Sequence, residues 1–267
     1  MRRHVAFECN GDTLVGTIDP GDAATGLLIV TGGNELRCGP YGSHAELAAK
    51  LSAAGFPVMR FDRRGVGDSS GYNGGFTTCV DDIAAAITAF RNAFPQMKRI
   101  AAFGNCDAAS ALMLARGKGF DALVLANPWT FDPEVEAPPQ APPQPQMTPR
   151  AIRAHYLRRL TDPRALLRLV TGKVKIGQMA GSLAEAAKPA PPQTALSRAL
   201  AEGIEGFAGA VALLVAEKDR TAQVFLSNWQ DNDPRIRICP GAGHSFIEPQ
   251  ARIWLQGQLL GALRSLG

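Results

Sequence analysis

The chain has 267 residues, of which 46% are hydrophobic and 19% charged, and its formal net charge is +4. This length suits one large α/β domain with a full core, and the composition is that of a soluble globular protein. The longest apolar runs are about ten residues, too short to span a membrane, and the N-terminal sequence lacks the features of a signal peptide. We therefore expect a cytoplasmic protein without stable membrane insertion and without a nucleic-acid partner.

Predicted strands and helices alternate along most of the chain. Asn10-Gly11 lies between two short segments and predicts a β-hairpin. Short apolar segments then alternate with segments of helical periodicity, which predicts a mostly parallel sheet of eight strands with helices on both faces. The predicted strands are Val5–Glu8, Thr13–Ile18, Gly26–Gly33, Pro57–Asp62, Arg99–Asn105, Asp121–Trp129, Ala210–Asp219 and Arg235–Gly241. The predicted helices are His44–Gly55, Cys79–Phe94, Asp107–Gly117, Thr221–Gln230 and Pro249–Leu266.

The alternation stops between residues 130 and 207, where the chain is proline-rich, then basic, then proline-rich again. A plain loop of this length is not expected inside a compact domain. We predict a helical lid over 130–207, inserted after the sixth strand, and a core formed by 1–129 and 208–267. Its basic helix, Pro149–Val170, is either a solvated surface or a surface that attracts an anionic substrate.

The five cysteines are scattered and include no C-x-x-C pair. Their odd number and irregular spacing argue against a disulfide framework or a zinc site, and no cofactor or metal is expected. The cysteines are Cys9, Cys38, Cys79, Cys106 and Cys239.

One of these cysteines, Cys106, lies where a predicted strand turns into a helix, in "FGNCDAASAL". This matches the strand–nucleophile–helix turn G-x-S-x-G, with cysteine in place of serine and Ala108 in place of the last glycine. Small residues are needed two positions before and after the nucleophile, and Gly104 and Ala108 satisfy this. The alternative is a buried cysteine that packs as a small hydrophobic residue.

A base and an acid are available in the order that such a site requires. A free cysteine with a pKa of about 8.5 is only about 3% thiolate at pH 7, so a nucleophilic thiol benefits from a neighbouring base. His244 is the candidate base, because among the four histidines it alone follows a strand in a glycine-flanked loop. Asp219 ends the preceding strand and is the candidate acid, with Asp132 as a second choice. Asp219 also suits a helix cap.

An oxyanion hole requires two backbone N–H donors facing the nucleophile. One is expected from Asp107, directly after the cysteine. The other is expected from the loop after the third strand, "TGGNELRCGPYG", where Asn34 is the candidate donor. The paired glycines of this loop also suit a simple turn.

These residues carry a resemblance to known proteins. The order nucleophile, acid, histidine and the loop "FDRRGVGDSSG" resemble the α/β-hydrolase superfamily over nearly the whole chain. The segments "GPYGSHAELAAKL", "NCDAASAL", "ANPW" and "RAHYLRRL" resemble exosortase A system-associated hydrolases of the first type. Those are bacterial proteins encoded beside exopolysaccharide and protein-sorting genes, which makes an acylated sugar a plausible substrate.

The cysteine turn is also similar to that of dienelactone hydrolase, which uses a cysteine, an aspartate and a histidine. There a glutamate of the oxyanion loop interacts with the resting thiol, and arginines bind the substrate carboxylate. The resemblance implies that Arg37, Arg63 or Arg64 supplies this positive charge here, and Arg63 equally suits a structural ion pair with Asp62 or Asp68. Ala108 and the long lid depart from that enzyme, so its substrate is not carried over. The residues expected to contact substrate are Glu35, Arg37, Arg64, Trp129, Arg158 and Arg159.

The sequence thus predicts a hydrolase of acyl esters or thioesters that works through an acyl-enzyme intermediate on Cys106. Its partner would be a small-molecule acyl ester or an acylated sugar. An acyltransferase with the same residues, and a binding module with an inert triad, are the alternatives. The oligomeric state is left open.

Overall fold

The computed structural model describes residues 1–131, 194–230 and 232–267. Within them the chain forms one eight-stranded sheet with helices on both faces. The strands are β1 (Arg3–Cys9), β2 (Asp12–Asp19), β3 (Thr25–Val30), β4 (Val58–Phe61), β5 (Arg99–Asn105), β6 (Ala122–Ala126), β7 (Ala210–Ala216) and β8 (Ile236–Cys239). The helices are α1 (Ser43–Ala53), α2 (Val80–Ala93), α3 (Asp107–Leu114), α4 (Ala195–Glu205), α5 (Arg220–Asn228) and α6 (Pro249–Ser265). The predicted α/β fold is confirmed.

The order of the strands fixes where a site can form. Across the sheet the order is β1-β2-β4-β3-β5-β6-β7-β8. The pairs β1–β2 and β2–β4 are antiparallel, and all neighbouring pairs from β4 to β8 are parallel. The chain moves from β3 to β4 on one side and then returns to place β5 on the other side of β3. Ligands of open parallel sheets bind where the strand order reverses, outside the carboxyl ends of the strands. Here that point lies between β3 and β5.

Alternating side chains of each parallel strand pack against helices on opposite faces. In β5, Ile100 and Ala102 belong to the core under α2, α3, α4 and α5, whereas Ala101 and Phe103 belong to the core under α1 and α6. A strand that is buried on both faces needs an apolar residue at every position, which explains the wholly apolar segments of the sequence.

Several strands end earlier than the sequence predicted. β6 ends at Ala126 rather than Trp129, and β7 ends at Ala216 rather than Asp219. Asn127 has a left-handed φ of 43°, which turns the chain out of the sheet directly after β6. The polar residues that follow these strands therefore lie in loops above the sheet edge.

Part of the predicted 130–207 insertion lies among the described residues. It contains α4, whose Leu200 and Ile204 are buried in the same core as α3. Gly203 of α4 approaches α3 so closely that a Cβ atom there would lie 2.1 Å from the carbonyl oxygen of Met113. Positions 132–193 lie outside the described residues, and with them the basic helix and the predicted site residues Asp132, Arg158 and Arg159.

Two further observations concern only the described part of the chain. None of its helices combines the length and the hydropathy needed to cross a membrane. It also contains no group of three or more His, Cys, Asp or Glu side chains arranged to hold a metal ion.

Candidate active site

Cys106 occupies a sharp turn between β5 and α3. Its φ and ψ are 61° and −127°, a backbone conformation that L-residues rarely adopt and that costs about 1–3 kcal/mol. The turn is held by a hydrogen bond from the Cys106 N–H to the carbonyl of Ala126, 2.9 Å long. Gly104 has to be a glycine, because a Cβ atom there would lie 2.8 Å from the backbone of Ala108. The turn thus holds the cysteine at the carboxyl end of β5, only partly buried.

His244 and Asp219 lie beside this cysteine. His244 comes from the loop after β8 and Asp219 from the loop after β7, and the imidazole Nδ1 is 3.0 Å from the Asp219 Oδ2. The Cys106 side chain is the second hydrogen-bond partner of the ring. The hydrogen bond to Asp219, followed by the one to Cys106, raises the pKa of His244 to about 10, although burial opposes this. The imidazole therefore favours its charged form, next to a thiol and a buried carboxylate.

The Asp219 carboxylate has a second function in the fold. It accepts a hydrogen bond from the Ala222 N–H, 3.0 Å away, and so caps the N-terminus of α5. Because the cap and the contact with His244 use the same side chain, the helix start fixes the carboxylate that orients the ring.

Two asparagines anchor the loop that carries His244. Asn105 and Asn127 both donate from their Nδ2 atoms to the His244 carbonyl, at 3.1 and 3.0 Å. Asn127 also donates to the Asn105 Oδ1 and accepts from the Ala216 N–H. Asn127 is fully buried. This network ties together the ends of β5, β6 and β7 and sets the position of the imidazole.

A tight turn, Gly32–Glu35, faces the cysteine from the end of β3. Val30 pairs with Gly104, so Gly32 and Cys106 lie at matching positions two residues beyond the paired strands. The Glu35 N–H closes the turn on the Gly32 carbonyl at 2.9 Å. The structure therefore brings the loop of the predicted second oxyanion donor next to the strand end that carries the cysteine.

The likeness to known proteins agrees with this geometry. A sequence model of the alpha/beta hydrolase family matches residues 32–253, which is most of the chain. The protein belongs to this family. No curated protein matches its sequence.

Several solved structures have the same fold at low sequence identity. An esterase of Pyrococcus furiosus is 16% identical, with a TM-score of 0.62 over 100% of this chain and 91% of that one. The alpha/beta hydrolase GrgF of Penicillium sp. sh18 is also 16% identical, with a TM-score of 0.63 over 99% of this chain and 98% of that one. A thioesterase domain of the curacin biosynthetic pathway is 14% identical, with a TM-score of 0.55 over 98% and 99%.

Glu35 is a half-buried carboxyl group of the Gly32–Glu35 turn. Its pKa is raised to about 7, mainly by burial and also by the negative charge of Asp107, although the positive charges of His244 and Arg63 oppose this. Its Oε2 lies 4.0 Å from the Nδ1 of His44, a buried ring whose pKa burial lowers to about 4. Near neutral pH the Glu35 carboxyl group is therefore partly protonated.

The other predicted substrate residues are placed differently. The Trp129 N–H donates to the Cys106 carbonyl at 3.3 Å, so the start of the 130–207 segment lies beside the cysteine. Arg37 pairs with Asp62 and Asp68, and Arg64 pairs with Asp82. The two guanidinium groups are therefore engaged with carboxylates of the protein itself.

Sequence reasoning missed Asn105 and Asn127 as site residues. Asn127 follows a strand of five buried apolar residues, where a polar side chain with a left-handed backbone is unexpected. Asparagine tolerates that conformation better than most residues, so its position in "LANP" was a usable signal.

Replacing Asn127 by alanine is expected to lower the free energy of unfolding by about 3 kcal/mol. The change leaves the Ala216 N–H without its acceptor, removes the hydrogen bonds to the Asn105 Oδ1 and the His244 carbonyl and adds backbone strain. Urea denaturation measures it. Asn127→Gly loses the same hydrogen bonds without the strain, so it should be about 1 kcal/mol more stable than Asn127→Ala. A loss below about 1 kcal/mol in both variants would contradict the anchoring role.

Proposed function

We propose that this protein cleaves acyl esters or thioesters through a thioester acyl-enzyme formed on Cys106. The observation that carries this proposal is the continuous contact from the Cys106 thiol through His244 to Asp219, with the thiol held in a strained turn at the end of β5. A structural cysteine needs neither the strained backbone nor a histidine held in its charged form.

In the proposed reaction the sulfur attacks the acyl carbonyl, and the bond between the carbonyl carbon and the leaving oxygen or sulfur then breaks. Before the attack the Cys106 proton already resides on His244, in a proposed thiolate–imidazolium ion pair, and His244 delivers this proton to the leaving group. A water molecule then attacks the thioester, giving its proton to His244, and the thiolate leaves. Asp219 keeps the ring in one orientation throughout and stabilises its charged form.

The oxyanion that forms during both attacks needs donors, which we assign to the N–H groups of Asp107 and Asn34. Glu35 and Trp129 are proposed to contact the substrate, because both come from segments beside the cysteine. The lid arginines Arg158 and Arg159 are retained as proposed contacts for an anionic substrate. Arg37 and Arg64 would have to break their ion pairs to take such a role, so we do not propose one.

The proposed substrate class is an acyl ester of a small molecule, with an acylated sugar as the first choice. Esterases and a thioesterase domain among the similar structures support ester or thioester chemistry. The resemblance to exosortase A system-associated hydrolases supports a substrate related to exopolysaccharide.

The test is a panel of nitrophenyl esters and acyl thioesters of short, medium and long acyl chains, followed by intact-mass measurement after brief exposure. We expect cleavage of at least one member and one acyl adduct per chain, located on Cys106 by peptide mapping. Cys106→Ala should show neither. Cys38→Ala is the matched control, because Cys38 is the other partly exposed free cysteine, and it should retain both.

A persistent adduct in Cys106→Ala, or no cleavage anywhere in the panel, would overturn the proposal. Adding an acceptor alcohol or sugar to the productive reaction distinguishes hydrolysis from acyl transfer. Free acid as the main product at all acceptor concentrations supports a hydrolase, whereas an acylated acceptor would identify an acyltransferase.

A further inference from the structure

The carboxylate of Asp107, the residue after the cysteine, reaches across to the Gly32–Glu35 turn. The Gly33 N–H donates to both of its oxygens, at 2.9 and 2.8 Å. Gly32 packs against the same group, since a Cβ atom there would lie 2.1 Å from the Asp107 Oδ1. The side chain of Asp107, one predicted oxyanion donor, therefore binds the turn that carries Asn34, the other predicted donor.

Arg63 contacts both the turn and the Asp107 carboxylate. The Arg63 side chain is 2% exposed. Its Nη2 donates to the Gly33 carbonyl and lies 3.9 Å from the Asp107 Oδ2. Both the N–H and the C=O of Gly33 are thus fixed, one by a carboxylate and the other by a guanidinium group. Gly33 has a φ of 51°, which a glycine adopts without strain.

The turn then offers few free donors. The Gly33 N–H is used by Asp107 and the Glu35 N–H by the Gly32 carbonyl. The Asn34 side chain accepts a hydrogen bond from the Asn73 Nδ2 at 2.8 Å. The backbone N–H of Asn34 donates to no residue in the described part of the chain. Of the two central N–H groups of the turn, only that of Asn34 is left for a substrate oxygen.

We propose that Asp107 is a positioning residue that selects the oxyanion donor: its carboxylate binds the Gly33 N–H and thereby presents the Asn34 N–H to the substrate carbonyl. Asp107 acts at this hole twice, through its own N–H and through its side chain. The inference rests on the proposed acyl-enzyme function for its kinetic test, whereas its structural test is independent of that function.

A carboxylate on the Gly33 N–H could instead occupy the place of the substrate oxygen and block it. The contact with buried Arg63 and the close packing on Gly32 favour a carboxylate that stays in place over one that the substrate has to displace. The two arrangements predict opposite signs. Removing the Asp107 carboxylate lowers turnover if it positions the turn, and raises turnover if it blocks the place of the substrate oxygen.

The kinetic test compares Asp107→Ala and Asp107→Asn with the wild type on the best ester of the panel. Alanine should lower kcat about 10²-fold with KM within about threefold, because one oxyanion donor is worth about 10²–10³ in kcat. Asparagine keeps an acceptor oxygen for the Gly33 N–H and should restore kcat to within about tenfold of the wild type. An unchanged or raised kcat in Asp107→Ala overturns the proposal.

A second readout separates positioning from general damage. Alkylation of Cys106 by iodoacetamide forms no oxyanion, so its rate in Asp107→Ala should equal or exceed the wild-type rate, since a neighbouring negative charge is also removed. If alkylation and kcat fall by the same factor, the loss is damage to the cysteine site and the proposal fails.

Amide hydrogen exchange provides the structural test. We expect exchange at Gly33 to become at least about tenfold faster in Asp107→Ala than in wild type or Asp107→Asn, because its acceptor is lost. If the wild type cleaves no ester, the proposed function fails, and this measurement still decides the positioning role. Equal exchange in all three proteins overturns it.

Discussion

Removing the sulfur of Cys106 or the imidazole of His244 is expected to lower kcat for ester cleavage by about 10⁴- to 10⁶-fold, and removing both should cost hardly more than removing one. The reason is that the proposed nucleophile and base act as one unit. A thiol without its base and a base without its thiol are equally unable to start acyl transfer.

The measurement is kcat for Cys106→Ala, His244→Ala and the double variant on one ester under identical conditions. Cys38→Ala should stay within about twofold of the wild type, since no triad contact involves it. If the two single losses instead multiply in the double variant, the two groups act in separate steps and the proposed ion pair is wrong.

The fold was predictable because its signals are local. The continuous apolar run of β5, the two-residue hairpin turn and the small residues at Gly104 and Ala108 each reflect constraints within a few positions. The α/β class follows from such signals alone. The predicted ends of β6 and β7 were three residues too late, because the chain leaves the sheet at the left-handed Asn127 after β6 and at a turn beginning with Glu217 after β7.

The candidate site was only partly predictable. Cys106, Asp219 and His244 each lie within a few residues of the carboxyl end of a strand, so their meeting at one sheet edge follows from the parallel order. The supporting contacts join residues far apart in sequence: Asp107 holds Gly33 from 74 positions away, and Asn127 holds His244 from 117. No local pattern records such pairings.

The charged residues near the site illustrate the same limit. From the sequence, Arg37, Arg63 and Arg64 are equivalent sources of positive charge. In the fold, Arg64 reaches α2 at Asp82, Arg37 pairs with carboxylates after β4, and Arg63 alone contacts the turn that faces the cysteine. Which carboxylate each guanidinium group meets depends on strand order and loop path.

Asp219→Asn is expected to lower kcat/KM by about 10⁴-fold without unfolding the protein. Asparagine is as good an N-cap as aspartate, so the hydrogen bond from the Ala222 N–H and the start of α5 should survive. The lost element is the negative charge beside His244. Asp219→Ala is the matched comparison, because it removes both the charge and the cap and should unfold about 1 kcal/mol more easily than Asp219→Asn.

The pH dependence of the same variant tests the cause. In the wild type the hydrogen bond to Asp219, followed by the one to Cys106, raises the pKa of His244 to about 10, so the ring stays charged across the neutral range. A histidine whose pKa is raised on folding stabilises the folded state fully below about pH 6.5, and this contribution is lost as the pH rises toward 10. In Asp219→Asn the pKa should fall toward 6.5, and this part of the pH dependence of stability should shrink.

Two measurements follow this change. Urea unfolding at pH 6 and pH 9 should show a smaller difference in Asp219→Asn than in the wild type. Alkylation of Cys106 at pH 7 should become slower in the variant, because a neutral imidazole no longer holds a thiolate as its ion pair. Removing only the charge changes both quantities if the carboxylate sustains the ion pair. If Asp219→Asn keeps both the wild-type difference in unfolding and the wild-type alkylation rate, burial and the cysteine alone set the protonation state of His244.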